Sequence, residues 1–145
     1  MLHGFSDSGA SFDRVAPVLA SEGLRVFAPD LRGYGETDRI GAGGYYHFPD
    51  YVLDVAELME QLSPEAPIFL VGHSMGATIA SLLAGSLPER VALLALLEGV
   101  GPPEMPVDLS ADRMRMWIES VQKQRDRPEK PMTLEGAVAY VLGLT

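Results

Sequence analysis

Residues 69–78, FLVGHSMGAT, carry an apolar run into a serine with glycine two residues away on either side, Gly72 and Gly76, and then into an alanine-rich segment. A serine commonly sits in turns because its hydroxyl bonds nearby backbone. Glycines at both flanking positions imply a backbone too crowded there for any side chain. A strand, a sharp turn with Ser74 at its tip, then a helix from about Met75 is the G-x-S-x-G elbow arrangement. The turn lifts the Ser74 hydroxyl clear of the sheet edge, and the glycines let strand and helix pass at close range. The helix aims free N–H groups and its positive dipole end at any oxyanion beside the serine. The alternative is an ordinary N-cap serine.

Outward from the elbow, three apolar runs read as strands: LRVFAP (24–29), PIFLVG (67–72) and RVALLALLEG (90–99). None alternates cleanly, as expected of parallel strands buried on both faces. Between them, Phe12, Val15, Ala16 and Leu19 are spaced for one helix face. So are Val52, Val55, Ala56, Met59 and Leu62. The stretch from Met75 to about Ser86 is apolar nearly all round and predicts a buried helix ending before Pro88. Strand alternating with helix gives an α/β class with a parallel sheet. From Gly101 the texture changes. GPPEMP breaks the chain, Met114, Trp117, Ile118 and Val121 mark one amphipathic helix, and Leu134, Ala137, Val138, Val141 and Leu142 mark another. RDRPEKP links the two. The expected division is a core over 1–100 and a helical appendage or lid over 101–145.

Composition narrows the function classes. The 145 residues carry a formal net charge of -9 and no cysteine. A chain this acidic, without a basic patch, is not expected to bind nucleic acid. No apolar run reaches the length of a membrane span and no basic-then-apolar leader opens the chain, so a soluble cytoplasmic protein with no membrane partner is expected. No histidine–carboxylate cluster has metal-ligand spacing, and the glycine loops lack a phosphate-loop lysine. No metal or cofactor is expected.

LHGF (2–5), PDLRGYGETD (29–38) and GHSMG (72–76) occur in this order, and with them the chain resembles the α/β-hydrolase family over about residues 1–100. The resemblance implies an α/β-hydrolase fold, here a partial parallel sheet flanked by helices, with 101–145 as the beginning of a helical cap. It implies Ser74 as nucleophile and the backbone N–H groups of Phe5 and Met75 as the oxyanion hole. The implied activity is hydrolysis of a carboxylic ester or related acyl bond in a small, partly apolar substrate. Serine rather than aspartate at the elbow disfavours the epoxide-hydrolase and haloalkane-dehalogenase branches.

Family members supply the triad acid after the sixth or seventh strand and the histidine after the eighth. The chain is therefore expected to be part of a larger hydrolase, with only MLH left of the third strand. That strand lies between the fourth and fifth, so 24–29 and 67–72 are expected to flank a gap of unpaired backbone groups, each costing about 1–3 kcal/mol if dry. Of the histidines, His73 adjoins the serine and points away from it. His3 braces the oxyanion turn, and His47 has a solvated or packing role ahead of a catalytic one. Glu98, ending its strand, is a possible triad acid or a pocket-lining residue. Asp30 is expected to fix the LRGYG loop by accepting backbone N–H bonds. The competing function is an inactive, ligand-binding relative that keeps pocket and elbow without the base.

Overall fold

In the computed structural model, residues 1–41, 43–99, 110–125 and 133–141 are described. They fall into two compact units, 1–103 and 104–145. In the first, the apolar runs on either side of the elbow helix form β1 (Ile68–His73) and β2 (Val91–Leu97), paired in parallel with Leu70 opposite Leu94 and Gly72 opposite Leu96. The α-helices of this unit are α1 (Ala16–Ser21), α2 (Phe48–Leu62) and α3 (Met75–Ser86). The crossover from β1 to β2 is α3, which supplies the long connection that a parallel pair requires.

Burial explains the uniform apolarity of α3: Ala77, Ile79, Ala80 and Leu83 are sealed between the sheet and α2. From α2, Tyr51, Val55 and Met59, spaced four apart, face that helix and join Leu2, Leu31 and Leu70 in one apolar cluster. The opposite sheet face is open. Phe69, Leu93 and Leu97 are 57, 50 and 46% exposed on it.

Two expected elements differ. Residues 24–29 belong to no ladder. A strand exists only by pairing, and the chain's first two residues lie between this segment and β1. The Met1 nitrogen donates to the Phe27 carbonyl at 2.6 Å. Leu2 then forms an isolated parallel bridge with Gly72, through Leu2 N–H to Val71 O at 2.7 Å and His73 N–H to Leu2 O at 2.9 Å. Beside this bridge a groove of about 530 Å³ separates the two segments, lined by Leu24, Val26, Phe27, Phe69 and Val71 among others. The second difference concerns 12–19. A 3-10 turn, Gly9–Phe12, and a short α1 replace one continuous helix, with Pro17 in the first turn of α1 and Val15 and Val18 exposed.

Hydrogen exchange is expected to report the missing ladder. Amides of 26–28 should exchange within the fast class of loop amides, while those of 69–72 are retained. Protection at 26–28 in a monomer would mean that another segment of chain fills the groove.

The second unit contains α4 (Ser110–Arg125) and α5 (Leu134–Val141). Both expected helices form, yet Met114, Trp117 and Ile118 of α4 are exposed. The breaker GPPEMP, the linker RDRPEKP apart from Arg125, and Leu142 lie outside the described residues. Among the described residues no helix is long and apolar enough to cross a membrane.

Candidate active site

The crowding implied by the two glycines is measurable. A Cβ on Gly72 would stand 2.3 Å from the Gly76 carbonyl oxygen, and one on Gly76 would stand 2.3 Å from the Leu2 carbonyl oxygen. Strand, helix and the chain's first residues therefore meet backbone to backbone. Ser74, between them, has φ 50° and ψ −112°, a backbone conformation that only surrounding structure can hold in a residue with a side chain. That hold is visible. Ser74 N–H donates to Leu97 O at 2.8 Å, and its carbonyl accepts from Ala77 and Thr78 N–H at 3.0 and 3.1 Å.

The hydroxyl is uncommitted. Although Ser74 occupies the N-cap position of α3, its side chain makes no capping bond. Among the described residues no hydrogen bond reaches it. Met75 and Gly76, in the first turn of α3, have N–H groups with no intrahelical acceptor, and the dipole adds positive potential at that end.

The turn carrying Phe5 lies against this serine. A Cβ on Gly4 would be 3.4 Å from Ser74 Cβ and 3.0 Å from His73 Nδ1, a close approach of the turn to the elbow. Ser6 follows with φ 59°, and the Phe5 ring is 74% exposed. His3 is fully buried beneath the turn. Its Nε2 accepts from Leu31 N–H at 2.9 Å, which leaves Nδ1 to donate to Gly4 O at 2.8 Å. Both nitrogens are spent on backbone, and His3 ties the Phe5 turn to the glycine loop.

That loop is fixed twice more. Asp30 accepts Gly9 N–H at 2.7 Å and Glu36 N–H at 2.9 Å, the bonding expected of it. Arg32 pairs with Asp54 of α2 through both ends of its guanidinium and lies 3.4 Å from Asp50. The Glu36 and Gly9 amides hold the Asp30 carboxyl below its ordinary value of 3.8. A depressed folded pKa means that this stabilisation is complete above about pH 4 and is lost as pH falls through the lower folded value. The Gly9 and Glu36 amide resonances are expected to titrate together below pH 3.8. In Asp30→Asn that shared titration should vanish.

From the same loop Tyr34 reaches the first residue of α3, its hydroxyl 3.9 Å from Met75 Sδ, a placement that residue spacing does not single out. An aromatic residue between the loop glycines Gly33 and Gly35 is the one signal in the sequence. Burial, ahead of contact with its neighbours, raises the Tyr34 phenol and pushes Tyr51 up to about 12, so both stay protonated at neutral pH.

The remaining candidates divide. Glu98 follows β2 directly, exposed and with φ 54°. The next residue touches the elbow, since a Cβ on Gly99 would lie 3.1 Å from the Ser74 carbonyl oxygen. Thus Ser74, Met75, the Phe5 turn and the Glu98–Gly99 corner converge. His47 is exposed at the head of α2, with its ring 4.5 Å from that of Tyr45. Among the described residues no His, Asp and Glu cluster is arranged to hold a metal ion.

A family profile for the alpha/beta hydrolase fold matches residues 1–128. The chain is 36% identical over 100 residues to a serine hydrolase-like protein of Dictyostelium discoideum, covering 69% of this chain and 28% of the relative. It is 37% identical over 106 residues to epoxide hydrolase 3 of Siraitia grosvenorii, covering 73% and 33%. A hypothetical protein of Pseudomonas aeruginosa PAO1 superposes with a TM-score of 0.83 at 38% identity, covering 99% of this chain and 51% of that one. The chain thus spans about a third of these curated relatives and half of the solved structure.

Proposed function

Because the chain belongs to the α/β-hydrolase family, we propose that it carries the nucleophile half of a serine hydrolase for carboxylic esters or related acyl bonds. The observation behind this reading is the uncommitted Ser74 hydroxyl on a strained turn, at the N-terminus of α3 and against the Phe5 turn. Ser74 Oγ would attack the acyl carbon and lose its proton to a base. The resulting oxyanion would lie between the Met75 and Phe5 N–H groups, where preorganised donors act most strongly. Collapse expels the alcohol, which takes the proton from the base. Water then cleaves the acyl-serine by the same steps.

Chemistry favours an acyl substrate over an epoxide. A serine opening an epoxide would form an alkyl ether, with no carbonyl for water to attack, and the enzyme would stall after one turnover. Position 74 therefore separates this chain from the chemistry in the name of its epoxide hydrolase relative. The exposed Phe5 ring beside Tyr34 supports a partly apolar small molecule as the substrate. The second unit would act as the start of a cap, and the cytoplasm remains the compartment this reading assigns.

The competing reading, a binding protein without turnover, draws on the lack of any histidine bonded to Ser74 among the described residues. Prolonged incubation with a fluorophosphonate, followed by peptide mapping, separates the two. A nucleophile is expected to carry the adduct at Ser74. Labelling elsewhere, undiminished in Ser74→Ala, rejects the assignment.

A further inference from the structure

The Gly4 carbonyl and the Phe5 N–H are the two ends of one peptide unit. No peptide bond among the described residues is cis, and a trans unit is planar, with its C=O and N–H pointing opposite ways. Whatever holds the Gly4 oxygen therefore also aims the Phe5 N–H. His3 holds it, with Nδ1 2.8 Å from Gly4 O. The ring's other nitrogen decides which way that bond runs. Nε2 accepts Leu31 N–H at 2.9 Å, and an imidazole that accepts at one nitrogen carries its proton on the other. The proton is thus on Nδ1, where it can be donated to Gly4 O.

This peptide unit needs such a hold. The glycine before it lets the unit rotate at little steric cost. Beyond it Ser6 has φ 59°, which a residue with a side chain keeps only where its surroundings over-determine it. Among the described residues no hydrogen bond occupies the Phe5 N–H, so it is available as a donor. Turned over, the unit would carry the Gly4 oxygen where that donor had been, in a turn whose Gly4 lies against Ser74. A carbonyl there repels an oxyanion instead of binding it. The reversal would also strip the Nδ1 proton of its acceptor inside a fully buried ring, an arrangement that folded proteins avoid.

We propose that His3 is a positioning residue: its Nδ1–H tautomer, selected by Leu31, fixes the Gly4–Phe5 peptide so that the Phe5 N–H is aimed at the oxyanion formed on Ser74. The inference rests on the reading of Ser74 as the acyl-accepting nucleophile. The duller role is packing, a buried histidine that only satisfies two backbone groups. Two substitutions separate the roles, because each keeps one half of the ring's bonding. In His3→Asn the side-chain amide N–H stands near the place of Nδ1, which keeps the Gly4 bond and gives up the one to Leu31. In His3→Gln the longer side chain reaches the place of Nε2, which keeps the Leu31 bond and gives up the one to Gly4.

The test follows fluorophosphonate labelling of Ser74 and the ³¹P resonance of the adduct, whose phosphoryl oxygen stands in for the oxyanion. Both are read well below the thermal midpoint of each variant, so that loss of folded protein does not enter. His3→Gln is expected to label about 10²-fold more slowly than the wild type, the low end of the loss for a removed oxyanion donor. Its ³¹P resonance should move. His3→Asn should stay closer to the wild type in both rate and resonance. A His3→Gln variant that labels as fast as His3→Asn, or whose resonance stays in place, overturns the proposal. Should either variant fail to fold, the imidazole ¹⁵N spectrum of the wild type decides. A proton on Nδ1 with Nε2 bare supports the proposal; the opposite tautomer overturns it and leaves the reading of Ser74 standing. Wild-type protein that never labels at Ser74 rejects the nucleophile itself, and the positioning role with it.

Discussion

Gly76→Ala is expected to lower the thermal midpoint by about 12–24 °C. The added methyl would stand 2.3 Å from Leu2 O and 2.7 Å from His3 O, both backbone atoms. Overpacking costs about 1–3 kcal/mol where side chains can give way. Here the helix or the whole first segment must move, which puts the cost at about 3 kcal/mol or more. For a domain of this size each kcal/mol is worth about 4–8 °C. Gly72→Ala should behave alike, its Cβ meeting Gly76 O at 2.3 Å. Gly85 lies on the same helix, with no heavy atom within 4 Å of where a methyl would stand. Gly85→Ala should therefore be neutral or stabilising by up to about 1 kcal/mol. Calorimetry on the three variants separates close approach from helix propensity. Equal midpoints for Gly76→Ala and Gly85→Ala would refute the crowding argument.

The second large effect concerns turnover. With both His3 nitrogens bonded to backbone and no hydrogen bond to the Ser74 hydroxyl among the described residues, the 145-residue chain is expected to hydrolyse a nitrophenyl ester slowly. The rate should not exceed that of a triad-deleted hydrolase, about 10³–10⁴ over water, which comes from the oxyanion hole and binding. Ser74→Ala should remove the acyl-enzyme burst entirely. Turnover at ordinary enzyme rates, abolished in Ser74→Ala, would mean that a base is present, and His47 would be the first residue to replace.

Much of the architecture is legible in residue patterns, because those patterns answer to local contacts. The run 67–72 and the uniformly apolar stretch after it become β1 and α3 within a residue. Parallel pairing follows from their connection. The run 24–29 has the same composition and forms no ladder, since composition expresses readiness to pair and a partner is a tertiary fact. The helix face marked by Phe12 to Leu19 breaks at a turn before Pro17, a local signal that the apolar periodicity masks. At the site, the serine and glycines are legible because crowding selects glycine directly. Tyr34 is not, because its contacts with His3, Phe5 and Met75 cross sequence distances that no spacing rule records.

The bridge at Leu2 carries a kinetic consequence. Pairing β1 with β2 closes a short loop over α3, whereas joining Leu2 to Gly72 closes one of about seventy residues. Longer closure forfeits more chain entropy for its first contacts, and a single bridged residue offers few contacts in return. The strand–helix–strand hairpin that presents Ser74 can therefore assemble early and persist, while the Phe5 turn docks last and undocks first. If Ser74 and the Phe5 N–H act as proposed, reactivity would fade on warming while helical content is still intact, with the hydroxyl in place and the Phe5 turn gone.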